Sequence, residues 1–182
     1  MATLEEKIKG SHTLELITVA NDFSIFTEGM DKYDKSDILS YLQKVLPLLY
    51  IKGSLLPRIP PVEDMIPERF ITEENWDNVY SRFKEKLGKD DDYKIVSHDE
   101  IYGDKAVKAS IAEGLADIYQ DVKDFLVLYQ QNTDTARQNA VHECGRLFET
   151  RWGHRLVNVL TAIHRLLYAS KIEDNTLPGE NI

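Results

Sequence analysis

Residues 104–131, DKAVKASIAEGLADIYQDVKDFLVLYQQ, decide the fold. Val107, Ile111, Leu115, Ile118, Val122, Phe125, Leu126 and Tyr129 recur there at steps of three and four. That spacing gathers side chains on one side of an α-helix. It predicts a long, central amphipathic helix from about Asp104 to Gln131.

Working upstream, Lys89 to Asp104 combines an acidic run with a short apolar piece at Ile95 and Val96 and with Gly103. The expectation is a loop with at most one brief strand. Before it, Trp76, Val79, Tyr80, Phe83 and Leu87 form the inward face of a third predicted helix. Thr72 is its N-cap, Glu73 and Glu74 sit at the positive end of its dipole, and Gly88 ends it. Ile71 is placed to staple onto Trp76. Gly53 to Ile71 is a proline-rich connector, in which each residue before a proline is pushed to extended backbone. It reads as a stiff crossover between the second and third helices.

The first predicted helix runs from Thr13 to about Gly29 on Leu16, Val19, Ala20, Phe23 and Phe26. The second starts near Asp34 or Ser36 and turns Ile38, Leu39, Leu42, Val45, Leu46 and Leu49 inward. Pro47 lies inside it, where a missing N–H and a ring clash predict a kink or an early end. Downstream of Thr133 a fifth helical region extends to about Lys171 on Val141, Phe148, Trp152, Leu156, Val159, Ile163, Leu166 and Leu167. It is either continuous or broken near Trp152-Gly153. Long amphipathic helices without an alternating strand pattern give an all-α, single-domain bundle of about five helices over residues 1–171, followed by a flexible tail, 172–182.

The chain has 182 residues, 42% hydrophobic and 29% charged, with a formal net charge of -9. Such a charge repels phosphate backbones and anionic lipid surfaces, so neither nucleic acid nor a membrane is an expected partner. The most apolar stretch, Val45 to Leu56, is interrupted by Pro47, Lys52 and Gly53 and is shorter than the ~20 residues of a membrane span. Met1 to Gly10 lacks the apolar centre of a secretory signal. Cys144 is the single cysteine, which rules out an internal disulfide and a cysteine-based zinc cluster and fits a cytoplasmic setting.

Four constellations could carry chemistry. Glu113, Asp117, Asp121 and Asp124 line up along one side of the fourth helix, a row of the kind that binds divalent metal in helical hydrolases. The row falls nearly opposite the apolar stripe, so the expectation is a solvated face, and no second helix of Glu-x-x-Glu type completes such a site. Asp90-Asp91-Asp92 fails as a calcium loop, because Ile95 and Ile101 occupy the positions of the required glycine and closing glutamate. It reads as a helix-capping or flexible acidic loop. His142-Glu143 fails as a zinc-protease motif, because Arg146 holds the second histidine position. Cys144 reads as a small buried thiol rather than a nucleophile.

The fourth constellation is on the fifth helix. Glu149 projects near the edge of the apolar face, flanked by His142 and His164 if the helix is unbroken. A carboxylate so placed must be paired, protonated or functional, and a hydrogen bond to a tyrosine or arginine of the second or fourth helix is expected. His154 projects to the polar side. Arg137, Arg146, Arg151, Arg155 and Arg165 give this helix a basic character against the acidic fourth helix. The two should pair antiparallel, or the acidic stripe should meet the arginine stripe of a second copy in a symmetric dimer.

The segments Leu115-Ala-Asp-Ile-Tyr-Gln-Asp-Val-Lys-Asp-Phe-Leu126, Phe148-Glu-Thr-Arg-Trp-Gly-His-Arg-Leu156 and Leu160-Thr-Ala-Ile-His164 resemble the bacterial family catalogued as domain of unknown function 5063. The resemblance implies a helical bacterial protein and no particular activity, so no functional residue is carried over. It directs attention to Asp117, Asp121, Trp152, Gly153 and His154. Gly153 needs a reason, since a glycine inside a helix costs ~1 kcal/mol relative to alanine. Close helix packing is the simpler one, a break the other.

The residues are thus expected to form a non-enzymatic interaction or scaffold domain whose partner is another protein or a second copy of itself, with no cofactor and no metal. The competing expectation is a metal-dependent hydrolase or small-ligand binder using the carboxylates of the fourth helix with Glu149 and a histidine.

Overall fold

Short polar side chains start most of the helices. Thr3, Asp34, Thr72, Ser110 and Thr133 each accept a backbone N–H three residues on, satisfying one of the donors that a helix start leaves free. In the computed structural model, which describes residues 3–62, 69–97, 105–131 and 133–173, these caps open α1 (Leu4–Ile8), α3 (Lys35–Ser54), α4 (Glu73–Leu87), α5 (Ile111–Gln130) and α6 (Asp134–Leu147). α2 (Ser11–Glu28) starts at Gly10 without a side-chain cap, and α7 (Gly153–Glu173) follows α6 across a π-helical turn, Phe148–Trp152. Gly88 ends α4 at φ 57, a left-handed conformation that favours glycine.

The architecture is an all-α bundle, with α6 and α7 forming one interrupted fifth unit. α5 is central, packing against α2, α4, α6 and α7, while α3 packs against α2 and α7. Its fully buried residues include Ile111, Leu115 and Ile118, facing Leu16, Phe23, Phe83, Val141, Leu156 and Val159 in one core. Among the described residues no helix is long and apolar enough to cross a membrane.

Three boundaries differ from the expectations. Residues 92–97 and 105–110 form an antiparallel hairpin, β1 (Asp92–Ser97) and β2 (Lys105–Ser110), with Ile95 opposite Val107. The fourth predicted helix therefore begins at Ile111, and Val107 lies on an exposed strand rather than on a buried helix face. Ser110 is the reason, since its side chain accepts from Glu113 N and fixes the helix start there. Pro47 does not end α3, which continues to Ser54. Leu46 and Leu49 on either side of it are fully buried, and their packing offsets the ~3 kcal/mol that an interior proline costs. α7 reaches Glu173, and the rest of the expected tail lies outside the described residues.

The fifth region is broken near Trp152-Gly153, one of the two alternatives left open by the sequence. Gly153 N donates to Phe148 O in the wide π turn. A Cβ at Gly153 would stand 2.5 Å from that oxygen and 2.9 Å from the Phe148 ring. The glycine is therefore required by the turn itself rather than by a neighbouring helix. Trp152, inside the turn, is fully buried and donates its indole N–H to Cys144 O at 3.2 Å.

Candidate functional site: a buried carboxylate–guanidinium network

α5 carries three carboxylates that the structure encloses. Asp117, Asp121 and Asp124 are 7%, 1% and 6% exposed, and only Glu113 of the predicted row faces solvent. The expected solvated face is thus overturned. α5 is surrounded, so the side away from its apolar stripe is covered as well, by α4, the connector and the π turn.

Arginines from three elements make that burial tolerable. Asp117 accepts the indole N–H of Trp76 at 2.9 Å on Oδ1, with Arg151 Nη2 at 3.5 Å from the same oxygen and Arg155 Nη1 paired with Oδ2. Asp121 Oδ1 accepts from Arg69 Nη1 at 2.8 Å, and its Oδ2 lies 3.4 Å from Arg151 Nε. Asp124 Oδ1 accepts both Phe70 N and Ile71 N at 2.8 Å, and its Oδ2 accepts from Arg69 Nη1 at 3.2 Å. Three acids therefore meet three guanidiniums, and the backbone leading into α4 is tied to α5. A buried charge needs such a partner, and removing one partner costs far more than the pair contributes.

Burial raises the pKa of Asp121 above the ordinary aspartate value, although the Arg69 hydrogen bond and the charges of Arg151 and Arg69 pull the other way. Its Oδ2 has no hydrogen-bond partner within normal geometry. Burial also pushes the Cys144 thiol up, which keeps it protonated and unreactive. Among the described residues no group of three or more His, Cys, Asp and Glu side chains is disposed to hold a metal ion. Apart from Asp121 Oδ2, the carboxylate oxygens here are already engaged by N–H donors.

The other predicted positions disperse. Glu149 is exposed and pairs with Arg58 of the connector at 2.9 Å, not with a residue of the second or fourth predicted helix. His142 directs Nδ1 at Ile59 O, 2.9 Å away. Both line an open cleft of ≈ 460 Å³ with Arg58, Arg146 and Phe148. His164 is not there: it is exposed on α7 against Tyr168. The π turn inserts an extra residue and rotates α7 relative to α6, which separates residues that an unbroken helix would align. His154 is exposed as expected and lines a different groove, ≈ 430 Å³, between the hairpin and α7.

Arg69 and Trp76 Nε1 were not legible as members of the site. Arg69 lies in an irregular connector whose course a sequence does not show, and Trp76 reads simply as an apolar face residue. Arg151 and Arg155 carried a signal in their charge opposite the α5 acids, and the expected pairing of the two helices is what forms. Asp91 follows the capping alternative: fully buried, it accepts from Ala112 N and Ser110 Oγ at 2.7 Å and from Lys84 Nζ at 2.6 Å, at the start of α5.

Fold and site together define an all-α bundle closed around an internal network of ion pairs. The chain belongs to the family described as Domain of unknown function (DUF5063), whose model matches residues 8–169. The crystal structure of protein BF1032 from Bacteroides fragilis is similar at a TM-score of 0.78 and 31% identity, over 97% of this chain and 99% of that one. No curated protein matches the chain.

Proposed function

We propose that this protein is a non-enzymatic interaction domain that associates with a second copy of itself through the outer face of α3. The observation that carries this reading is a row of exposed apolar side chains, Leu48 and Ile51 of α3 and its C-cap Leu55, at 48%, 48% and 43% exposure. At 100° per residue they fall within about 60° of one another on the helix. Lys52, beside Ile51, bridges to Glu15 of α2 at 2.7 Å, which brings exposed Leu14 to the same end of the bundle. An apolar row along a helix is complementary to itself across a two-fold axis, and a clustered exposed patch marks an association site more often than scattered apolar residues do.

The charge-stripe dimer is a poorer reading, because Asp117, Asp121 and Asp124 are already paired inside one chain. The same pairing disfavours the metal-dependent hydrolase, whose ligands would first have to be released from three arginines.

Light scattering tests the proposal. At micromolar concentration the wild-type protein is expected to show twice the 21.0 kDa chain mass, and Leu48→Lys with Ile51→Lys to show the single mass with an unchanged fold by circular dichroism. A wild-type protein that stays at the single mass, or a double variant that still doubles, removes the reading.

A further inference from the structure

The groove between the hairpin and α7 is lined mostly by polar side chains. Tyr93 and Lys108 stand on the strand side, and Thr150, His154 and Asn158 on the helix side. All of these carry a side-chain N–H or O–H, with Thr150 Oγ1 donating to Arg146 O and the exposed Lys108 ammonium also pairing with Asp92 Oδ2 at 2.9 Å. Arg151 and Arg155 line the groove as well. Glu113 is the one carboxylate in the lining.

The buried network explains how these two arginines are held. Asp117 takes one Nη of Arg155 and one of Arg151, and Gln120 Oε1 accepts from Arg151 Nη2 at 3.2 Å. Both guanidiniums are held by residues of α5. Yet their side chains keep 40% and 31% exposure, so each retains donors open to the groove. A planar donor fork fixed before the ligand arrives loses little freedom on binding, and the fork matches the oxygens of a phosphate or carboxylate. Asp117 and its neighbours are thus positioning residues for two arginines. They offset part of the positive charge, so recognition rests on directed hydrogen bonds more than on net attraction.

The volume of ≈ 430 Å³ is within the range of small-molecule sites and larger than a lone oxyanion needs. The lining is polar, so the rest of the ligand is polar too. Glu113 is acceptor-only when ionised and therefore calls for a donor on the ligand, such as a hydroxyl. We propose that this groove binds a small phosphate monoester with a hydroxylated body, its phosphate on Arg151, Arg155 and Lys108 and a hydroxyl on Glu113. This site is separate from the α3 face, so either reading stands without the other.

Isothermal titration calorimetry with glycerol 3-phosphate, inorganic phosphate and glycerol tests it on the full chain. Glycerol 3-phosphate is expected to bind, inorganic phosphate to bind at least tenfold more weakly, and glycerol not at all. Lys108 and His154 are exposed and lie outside the buried network, so Lys108→Gln with His154→Gln should fold normally and weaken glycerol 3-phosphate at least tenfold. Glu113→Gln should lower the preference for the monoester over inorganic phosphate. No heat with either phosphate at millimolar concentration, equal affinity for the two, or binding untouched by the double variant each overturns the proposal.

Discussion

Trp76 donates its indole N–H to Asp117 Oδ1 at 2.9 Å, while its ring stacks on Tyr80 with centroids 5.3 Å apart. One residue of α4 thus both packs and anchors a buried carboxylate of α5. Trp76→Phe keeps most of the packing and removes the donor. A hydrogen bond to a charged group is worth about 1.5–3 kcal/mol, so the variant should lose stability of that order. Urea unfolding should show a lower midpoint with an unchanged slope; a midpoint equal to wild type would mean that Arg151 and Arg155 satisfy Asp117 without the indole.

Asp124 separates two roles within one side chain. Oδ1 accepts Phe70 N and Ile71 N, and Oδ2 accepts from Arg69. Asp124→Asn can keep the backbone bonds through its carbonyl oxygen; it loses the ion pair and turns an amide N–H toward Arg69, which still pairs with Asp121. Asp124→Ala leaves two part-buried N–H groups without an acceptor, at about 1–3 kcal/mol each. Chemical denaturation should therefore rank the variants wild type, Asn, Ala, with the larger step between Asn and Ala. The reverse spacing would assign the stability to the Arg69 pair instead.

Asp121 should leave a signature in the pH dependence of stability. Burial raises its folded pKa above the ordinary 3.8, so between the unfolded value and the raised one the folded state binds more protons than the unfolded state. Stability contributed by this group is present at low pH and falls as pH rises through that window. The Asn side chain does not titrate. The stability of wild type minus that of Asp121→Asn should therefore shrink as pH rises from near 3.8 and then level off, measured by thermal unfolding across the acid range. A difference that grows over the same interval would show that the arginines, not burial, dominate the site.

Two interior glycines should respond in opposite directions. A Cβ at Gly53 of α3 would lie 2.4 Å from Trp152 Cη2 and 2.7 Å from the Phe148 ring, whereas one at Gly145 of α6 would meet nothing within 4 Å. Gly53→Ala forces two rings of the π turn to move and should cost about 1–3 kcal/mol. Gly145→Ala should add about 0.5–1 kcal/mol, the usual gain of alanine over glycine inside a helix. Thermal midpoints of the two variants on either side of wild type would meet this expectation, and a destabilised Gly145→Ala would contradict it.

The helices themselves were legible because their cause is local. Apolar spacing placed α2 to α5 and the α6–α7 unit, and Thr72 and Gly88 bounded α4, each decided by residues within a few positions in the chain, whereas the region around Trp152-Gly153 was left either continuous or broken. The start of α5 was missed because Lys105–Ser110 satisfies a weak helical spacing and a strand equally well, and pairing with β1, which the sequence does not display, selected the strand. The carboxylates of α5 were misjudged for a similar reason. A helical wheel separates an apolar side from a polar one, but it does not show what stands against the polar side. Here Arg69, Arg151 and Arg155 arrive from elements 30 to 55 residues away in sequence. Composition and spacing determine which side chains cannot stay in water; only the folded arrangement decides which charged ones are taken out of it, because a buried carboxylate is tolerated solely where partners converge in space.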